Sequence, residues 1–236
     1  MPIPSNLAVV TGASRGIGAA IARMFAEEGV AVLLLARNKA ALDAVAAYLE
    51  AEGGTPHVMA VDISVSADLE KVSAFVKSYK GKLRYLVHNA AVARVGKIAA
   101  MSMADWRRTL DVNLTAPFSL TQKLLPFMKD GGHIFFVNSV AGRQVFPEWG
   151  GYSASKFGLR ALADALRMEL AGEGIKVTTL YPGAVDTPLH ETLPYNWERE
   201  KMMKPQNIAD AVKYIIRQPG NICINELDLA SAAGLF

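Results

Sequence analysis

Apolar residues fall along this chain in two alternating patterns. Short runs, rich in β-branched and aliphatic residues, occupy positions 7–10, 31–36, 57–61, 85–88, 133–138, 176–181 and 222–227. Their length and content predict buried strands. Between them, 18–28, 39–52, 67–79, 104–128 and 154–170 place apolar residues three and four apart, the spacing of an amphipathic helix. Such alternation predicts an α/β fold: a seven-stranded parallel sheet, doubly wound, with helices on both faces, in a single domain over 1–236. The least regular stretch, 183–205, contains Pro188, Pro194 and Pro205. Its many apolar residues suggest a mobile substrate loop over the carboxyl edge of the sheet, with an ordinary surface loop as the alternative.

Composition narrows the class. At 236 residues the chain can bury one large α/β core, and two domains would be cramped. With 51% hydrophobic and 20% charged residues it is globular, not disordered. The net charge is only +3 and no run of five basic residues occurs. Nucleic acid and anionic membrane are therefore not expected as main partners. The one cysteine, Cys223, excludes an internal disulfide framework and a cysteine-rich metal site, and suits a reducing compartment. The first residues lack a basic segment followed by a long apolar one, and no uncharged run is long enough to span a membrane. The expectation is a soluble cytoplasmic protein with no metal.

The stretch TGASRGIG at 11–18 follows the first apolar run. Glycines between a strand and a helix allow a tight turn, close approach of a pyrophosphate to backbone N–H groups, and close packing of helix on strand. The helix N-terminus then presents partial positive charge to phosphate. A tight turn with no ligand is the alternative. Gly12, Gly16 and Gly18, with Ser14, Arg15 and Ile17 between them, form GxxxGxG rather than GxGxxG. Arg37 follows the second run, where the adenine ribose of a dinucleotide would lie. No acidic residue occurs between Leu33 and Asn38. An arginine there suits a 2′-phosphate, and Arg15 is a second candidate, so NADP(H) is the expected cofactor.

Tyr152 and Lys156 are four apart, so on a helix they share a face. A free tyrosine has a pKa near ~10, and a neighbouring ammonium would lower it. Ser139 closes the run HIFFVNS thirteen residues earlier, at the end of a strand where ligands bind in open α/β sheets. Its hydroxyl could donate to an oxygen developing charge. It lacks a Gly-x-Ser-x-Gly elbow and an evident histidine base, which argues against acyl transfer.

With the glycine spacing, Ser139 and Tyr-x-x-x-Lys, nearly the whole chain resembles the short-chain dehydrogenase/reductase family, a Rossmann-type fold. The resemblance implies Tyr152 as general acid/base, Ser139 as its partner at the substrate oxygen, and Lys156 on the nicotinamide ribose. Asp62 and Ile63 would flank the adenine, although Asp62 could instead cap the following helix. Asn89, Ala90 and Ala91 match the family's Asn-Ala-Gly, with Ala91 departing from it; the neighbouring His88 also departs and reads as structural. Asn113 would sit at a helix irregularity and hold a water on a proton path; a buried amide capping that irregularity is the other reading, and the two are compatible. Pro182 and Gly183, with Val185 and Thr187, would hold the nicotinamide carboxamide.

These residues together imply an NADPH-dependent reductase of a ketone or other carbonyl, or a dehydrogenase in reverse. A 3-oxoacyl carrier-protein reductase and a non-enzymatic NADP(H) sensor are the alternatives. Val140, Gln144, Phe146 and Trp149 on one side, and Leu189, Leu193, Trp197 and Met202 on the other, are candidate substrate-pocket residues. They favour an aromatic or medium-chain ketone or diketone over a sugar. Relatives in the family usually pair, so a homodimer or homotetramer is expected, through Phe157, Leu159 and Leu162 and the apolar tail ASAAGLF.

Overall fold

A computed structural model of the chain describes residues 4–195 and 198–234. Seven strands form one sheet: β1 (Asn6–Thr11), β2 (Ala31–Ala36), β3 (Pro56–Ala60), β4 (Lys82–His88), β5 (Met128–Val137), β6 (Lys176–Pro182) and β7 (Glu226–Leu229). Their order is β3-β2-β1-β4-β5-β6-β7, and every pairing is parallel. The helices are α1 (Gly16–Glu27), α2 (Lys39–Ala51), α3 (Ser66–Ser78), α4 (Met103–Leu110), α5 (Ala116–Leu124), α6 (Gly150–Leu170) and α7 (Pro205–Ile216).

The two-residue period of each strand divides the core. Leu7, Val9, Leu33, Leu35, Ile134 and Phe136 face one apolar cluster, shared with α3, α5 and α6. Ala8, Val10, Val32, Leu34, Phe135 and Val137 face the other, shared with α1, α2 and α7. Strands with both faces covered can be apolar throughout. That is why β2 reads AVLLLA and is buried from Ala31 to Leu35. The strand order reverses between β1 and β4, which opens a crevice outside the carboxyl ends of those strands, where open α/β sheets bind ligands.

Several elements differ from the sequence pattern: β4, β5 and α6 start at Lys82, Met128 and Gly150, ahead of the expected 85, 133 and 154, and α7 lies outside the expected helices. The stretch 104–128 is not one helix. A π-helical turn at Asp111–Thr115 separates α4 from α5, and a 3-10 turn at Leu125–Phe127 follows. The apolar period survives an inserted residue, so the break is invisible to spacing alone. β7 begins at Glu226, not within 222–225. Finally, Pro205 does not end an irregular stretch: it opens α7, where its missing N–H costs nothing. In the 183–205 stretch, Val185 pairs with Met203, and 3-10 turns cover His190–Thr192 and Arg199–Lys201. Trp197 and the last two residues, Leu235 and Phe236, lie outside the described residues. Among the described residues no helix is long and apolar enough to cross a membrane.

Candidate active site

One cavity of about 640 Å³ collects the loops that follow β1 to β6. Its first wall is the glycine turn. Gly12 and Gly16 have φ of +66° and +56°, which favour glycine. The carbonyls of Thr11 and Gly12 accept from the Asn89 amide at 2.9 and 3.3 Å. The Thr11 hydroxyl accepts from the backbone of Asn89 and Ala90, so the end of β4 is stitched to the turn. A methyl on Gly18 would lie 2.3 Å from the Gly12 carbonyl oxygen. Gly18 does not line the cavity. It is the position where α1 packs on the turn.

Gly12, Ser14, Arg15, Gly16 and Ile17 line this end, as does Arg37 beyond β2. The N-cap of α1 has no side-chain hydrogen bond, and Gly16 and Ile17 at its start line the cavity, an arrangement that suits an anion. Arg15 and Arg37 are exposed, and neither forms an ion pair among the described residues. Open backbone, a helix N-terminus and two guanidinium groups fit a dinucleotide phosphate chain with an added phosphate.

Asp62 and Ile63 line the cavity beyond β3. Asp62 accepts from the Ser64 backbone and hydroxyl at 3.0 and 2.6 Å, and from Arg108 at 3.0 Å. Burial pushes its carboxyl up, but the Ser64 and Arg108 hydrogen bonds outweigh it and hold the pKa near about 2. The carboxylate therefore organises the entry to α3 as well as facing the cavity. Arg108 also lines the cavity and was not legible in the sequence: it arrives from α4, 46 residues after its partner. His190, likewise a lining residue, was also missed. It lies 3.5 Å from the Thr187 hydroxyl.

Asn89, Ala90 and Ala91 continue the wall after β4, and Pro182, Gly183, Val185 and Thr187 after β6. Thr187 packs against Gly16, where a methyl would come within 3.2 Å of its side chain. His88, by contrast, is buried beside the site, 2.7 Å from the Thr121 hydroxyl and stacked on Phe136.

At the other end, Ser139, Tyr152 and Lys156 meet in the cavity. Ser139 caps the 3-10 turn Val140–Gly142, accepting from the Ala141 N–H at 3.1 Å. Tyr152 and Lys156 lie on the first turns of α6. The Lys156 ammonium donates to the Val137 carbonyl at 3.1 Å and lies 5.6 Å from the Tyr152 ring centre. Burial pulls the Lys156 pKa down to about 7. It pushes Tyr152 up to about 12, opposed by a hydrogen bond from Ser139. The expected lowering of the tyrosine pKa by Lys156 is thus not met. Desolvation of the phenol dominates, and one of the ammonium's protons goes to a backbone carbonyl.

Asn113 lies in the π-helical turn, as expected of an irregularity, but it does not line the cavity. Its amide exchanges two hydrogen bonds with the Val92 backbone and donates to Ser155, whose hydroxyl donates to the Tyr152 carbonyl. Both amide protons are used within the protein, as the buried-amide reading expects. Asn138, missed in the sequence, lines the cavity and ties the Lys156 carbonyl to β5.

The apolar end is formed by Val140, Ala141, Phe146, Trp149, Leu189 and Leu193. Trp149 lies edge-on to Tyr152 and stacks on Tyr195. Gln144, expected in the substrate pocket, is instead exposed and outside the cavity lining. The turn that Ser139 caps carries it outward. Met202 is buried but also away from the lining.

The short chain dehydrogenase family profile matches residues 6–196 of this chain. An uncharacterized oxidoreductase of Staphylococcus epidermidis is 34% identical over 96% of this chain and 97% of that protein. Among solved structures, an alcohol dehydrogenase from Thermococcus sibiricus complexed with 5-hydroxy-NADP superposes with a TM-score of 0.89 at 30% identity, covering 96% of this chain and 97% of that one. A metagenomic short-chain oxidoreductase in complex with NADP gives 0.84 at 32% identity, covering 98% and 99%. A parallel sheet with this crevice and these turns defines an oxidoreductase of the Rossmann type. The chain belongs to the short-chain dehydrogenase/reductase family.

Proposed function

We propose that this protein reduces a carbonyl to a secondary alcohol, or runs the reverse, with NADP(H). The observation that carries the reading is one cavity with Arg15 and Arg37 at one end and Ser139, Tyr152 and Lys156 at the other. The two NADP-bound neighbours support the choice of cofactor. In this reading the glycine turn and the start of α1 hold the pyrophosphate, and Arg15 and Arg37 hold the 2′-phosphate. Asp62 and Ile63 flank the adenine. Lys156 holds the nicotinamide ribose, and Val185 and Thr187 the carboxamide. When bound, the nicotinamide supplies hydride to the carbonyl carbon or takes it from the alcohol.

The chain's own residues handle the proton. Tyr152 gives its phenolic proton to the substrate oxygen. Its burial keeps that proton on the phenol at neutral pH, and the Ser139 hydrogen bond works against that burial and eases the transfer. Ser139 donates to the same oxygen as charge develops there. Trp149, Leu189 and Leu193 give the substrate end of the cavity a mainly apolar lining. An uncharged aromatic or medium-chain ketone or diketone fits that lining best. The test is NADPH consumption against a panel of such ketones, a sugar and a 3-oxoacyl thioester. Tight NADPH binding with no turnover of any of them would favour a sensor instead.

We also infer self-association. Phe118 of α5 and Phe157 and Met168 of α6 are exposed apolar residues, which favours burial against a second copy. Leu159, expected at that surface, is instead buried in the core. A monomer by sedimentation at micromolar concentration would contradict this.

A further inference from the structure

Arg143 closes the turn that Ser139 opens. Its N–H donates to the Val140 carbonyl at 2.8 Å, and Gly142 donates to the Ser139 carbonyl at 2.9 Å. The turn has little room to shift, because a methyl on Gly142 would lie 2.6 Å from the Asn138 amide oxygen. The Arg143 side chain points away to the edge of the sheet. Its guanidinium meets both oxygens of Asp228 at 3.0 Å and Glu226 at 3.0 Å, both on β7. It also lies 3.8 Å above the ring of Tyr181, a fully buried residue of β6 whose hydroxyl donates to Glu226 at 2.7 Å. Isolated surface ion pairs contribute little. A planar fork held by two carboxylates and stacked on a buried ring instead fixes a position, and a lysine cannot reproduce it.

We propose that Arg143 is a positioning residue for Ser139: by pinning the far end of a short turn to β6 and β7, it sets where the Ser139 hydroxyl meets Tyr152. Arg143 itself lies outside the cavity lining. The inference rests on the proposed roles of Ser139 and Tyr152. It predicts that loss of Arg143 acts on the chemistry through Ser139 and not on cofactor binding.

The test compares Arg143→Met, Arg143→Lys, Ser139→Ala and the Arg143→Met/Ser139→Ala double variant in kcat, KM for NADPH and NADPH affinity. Arg143→Met should lower kcat roughly ten- to hundredfold, the scale of a small misplacement of catalytic groups. NADPH affinity and the KM for NADPH should be unchanged, so that the loss falls on kcat alone. The double variant should be no worse than Ser139→Ala alone, since the two act through one contact. Arg143→Lys should fall between wild type and Arg143→Met, and it decides the matter if the methionine variant does not fold. Full activity in either folded arginine variant, or losses that multiply in the double variant, would overturn the proposal. If Ser139→Ala and Tyr152→Phe are both silent, the reading of the site fails with it. If they impair turnover and Arg143→Met does not, only the role of Arg143 fails.

Discussion

Lys156 shows how a single residue can trade stability for placement. Its ammonium is buried, and its pKa falls to about 7 against 10.5 in a solvated chain. Below the solvated value the unfolded chain holds the proton more strongly, so the native state is penalised until pH climbs through that range. Lys156→Met should therefore raise the melting temperature by several degrees at pH 7 while abolishing turnover. A lower melting temperature would mean that the Val137 carbonyl contact outweighs the burial cost. Tyr152→Phe loses only a hydroxyl and should leave NADPH binding intact. Turnover should fall by about two to four orders of magnitude, the range for a lost general acid, as read in single-turnover rates. Arg37→Asp tests the other end of the cavity. A hydrogen bond to a charged group contributes roughly 1.5–3 kcal/mol, so one phosphate contact should favour NADPH over NADH by about ten- to a hundredfold. The aspartate should reverse that ratio. Equal use of both cofactors by the unaltered protein would remove Arg37 from the 2′-phosphate.

At the scale of the element, the glycine turn and the π-helical turn show what sequence can and cannot carry. Gly18 was recognisable because only glycine fits where a methyl would sit 2.3 Å from a carbonyl oxygen. Gly18→Ala should cost about 1–3 kcal/mol by overpacking and weaken NADPH binding by displacing the turn. Gly172, with nothing near an added methyl, should tolerate alanine at no cost. Thermal melts of the two variants compare them directly; equal behaviour would mean the turn is slack. The strands were legible because two-faced burial writes apolar runs into the sequence, and Ser139, Tyr152 and Lys156 because strand ends and helix faces fix their spacing. The break at Asp111–Thr115 was not legible in the apolar spacing, since neither side of it loses its stripe; only the family resemblance at Asn113 pointed to it. Arg108 and Arg143 were not, because their partners lie on other elements: Asp62 and Ser64 for one, Glu226 and Asp228 for the other. Gln144 was misplaced for a related reason: a residue one turn past Ser139 looks adjacent in sequence, but the turn faces it outward.

Across the whole molecule, four histidines are all held below their ordinary pKa by burial, and two dominate. His88 and His133 lie deep in the core, each with a ring nitrogen 2.7 Å from a threonine hydroxyl and each stacked on a phenylalanine. Burial lowers both to about 3, from 6.5 in a solvated chain. A depressed native pKa means that the unfolded chain binds the proton first. The stability tied to neutral histidine is complete above 6.5 and is lost as pH falls from there toward 3. At pH 5 each contributes a loss of about 2 kcal/mol, since one unit is worth about 1.4 kcal/mol. Carboxylates titrate mostly below this range, and Lys156 and Tyr152 titrate above it, so the slope between pH 6.5 and 5 belongs to the histidines. His57 and His190 add to it in the same direction. Urea unfolding across that range should show stability falling steeply toward acid. His88→Gln and His133→Gln, which keep a partner for the threonine but cannot titrate, should each flatten the slope. A slope unchanged in both variants would mean that the core opens to solvent before either histidine is protonated, so that acid unfolding begins elsewhere in the fold.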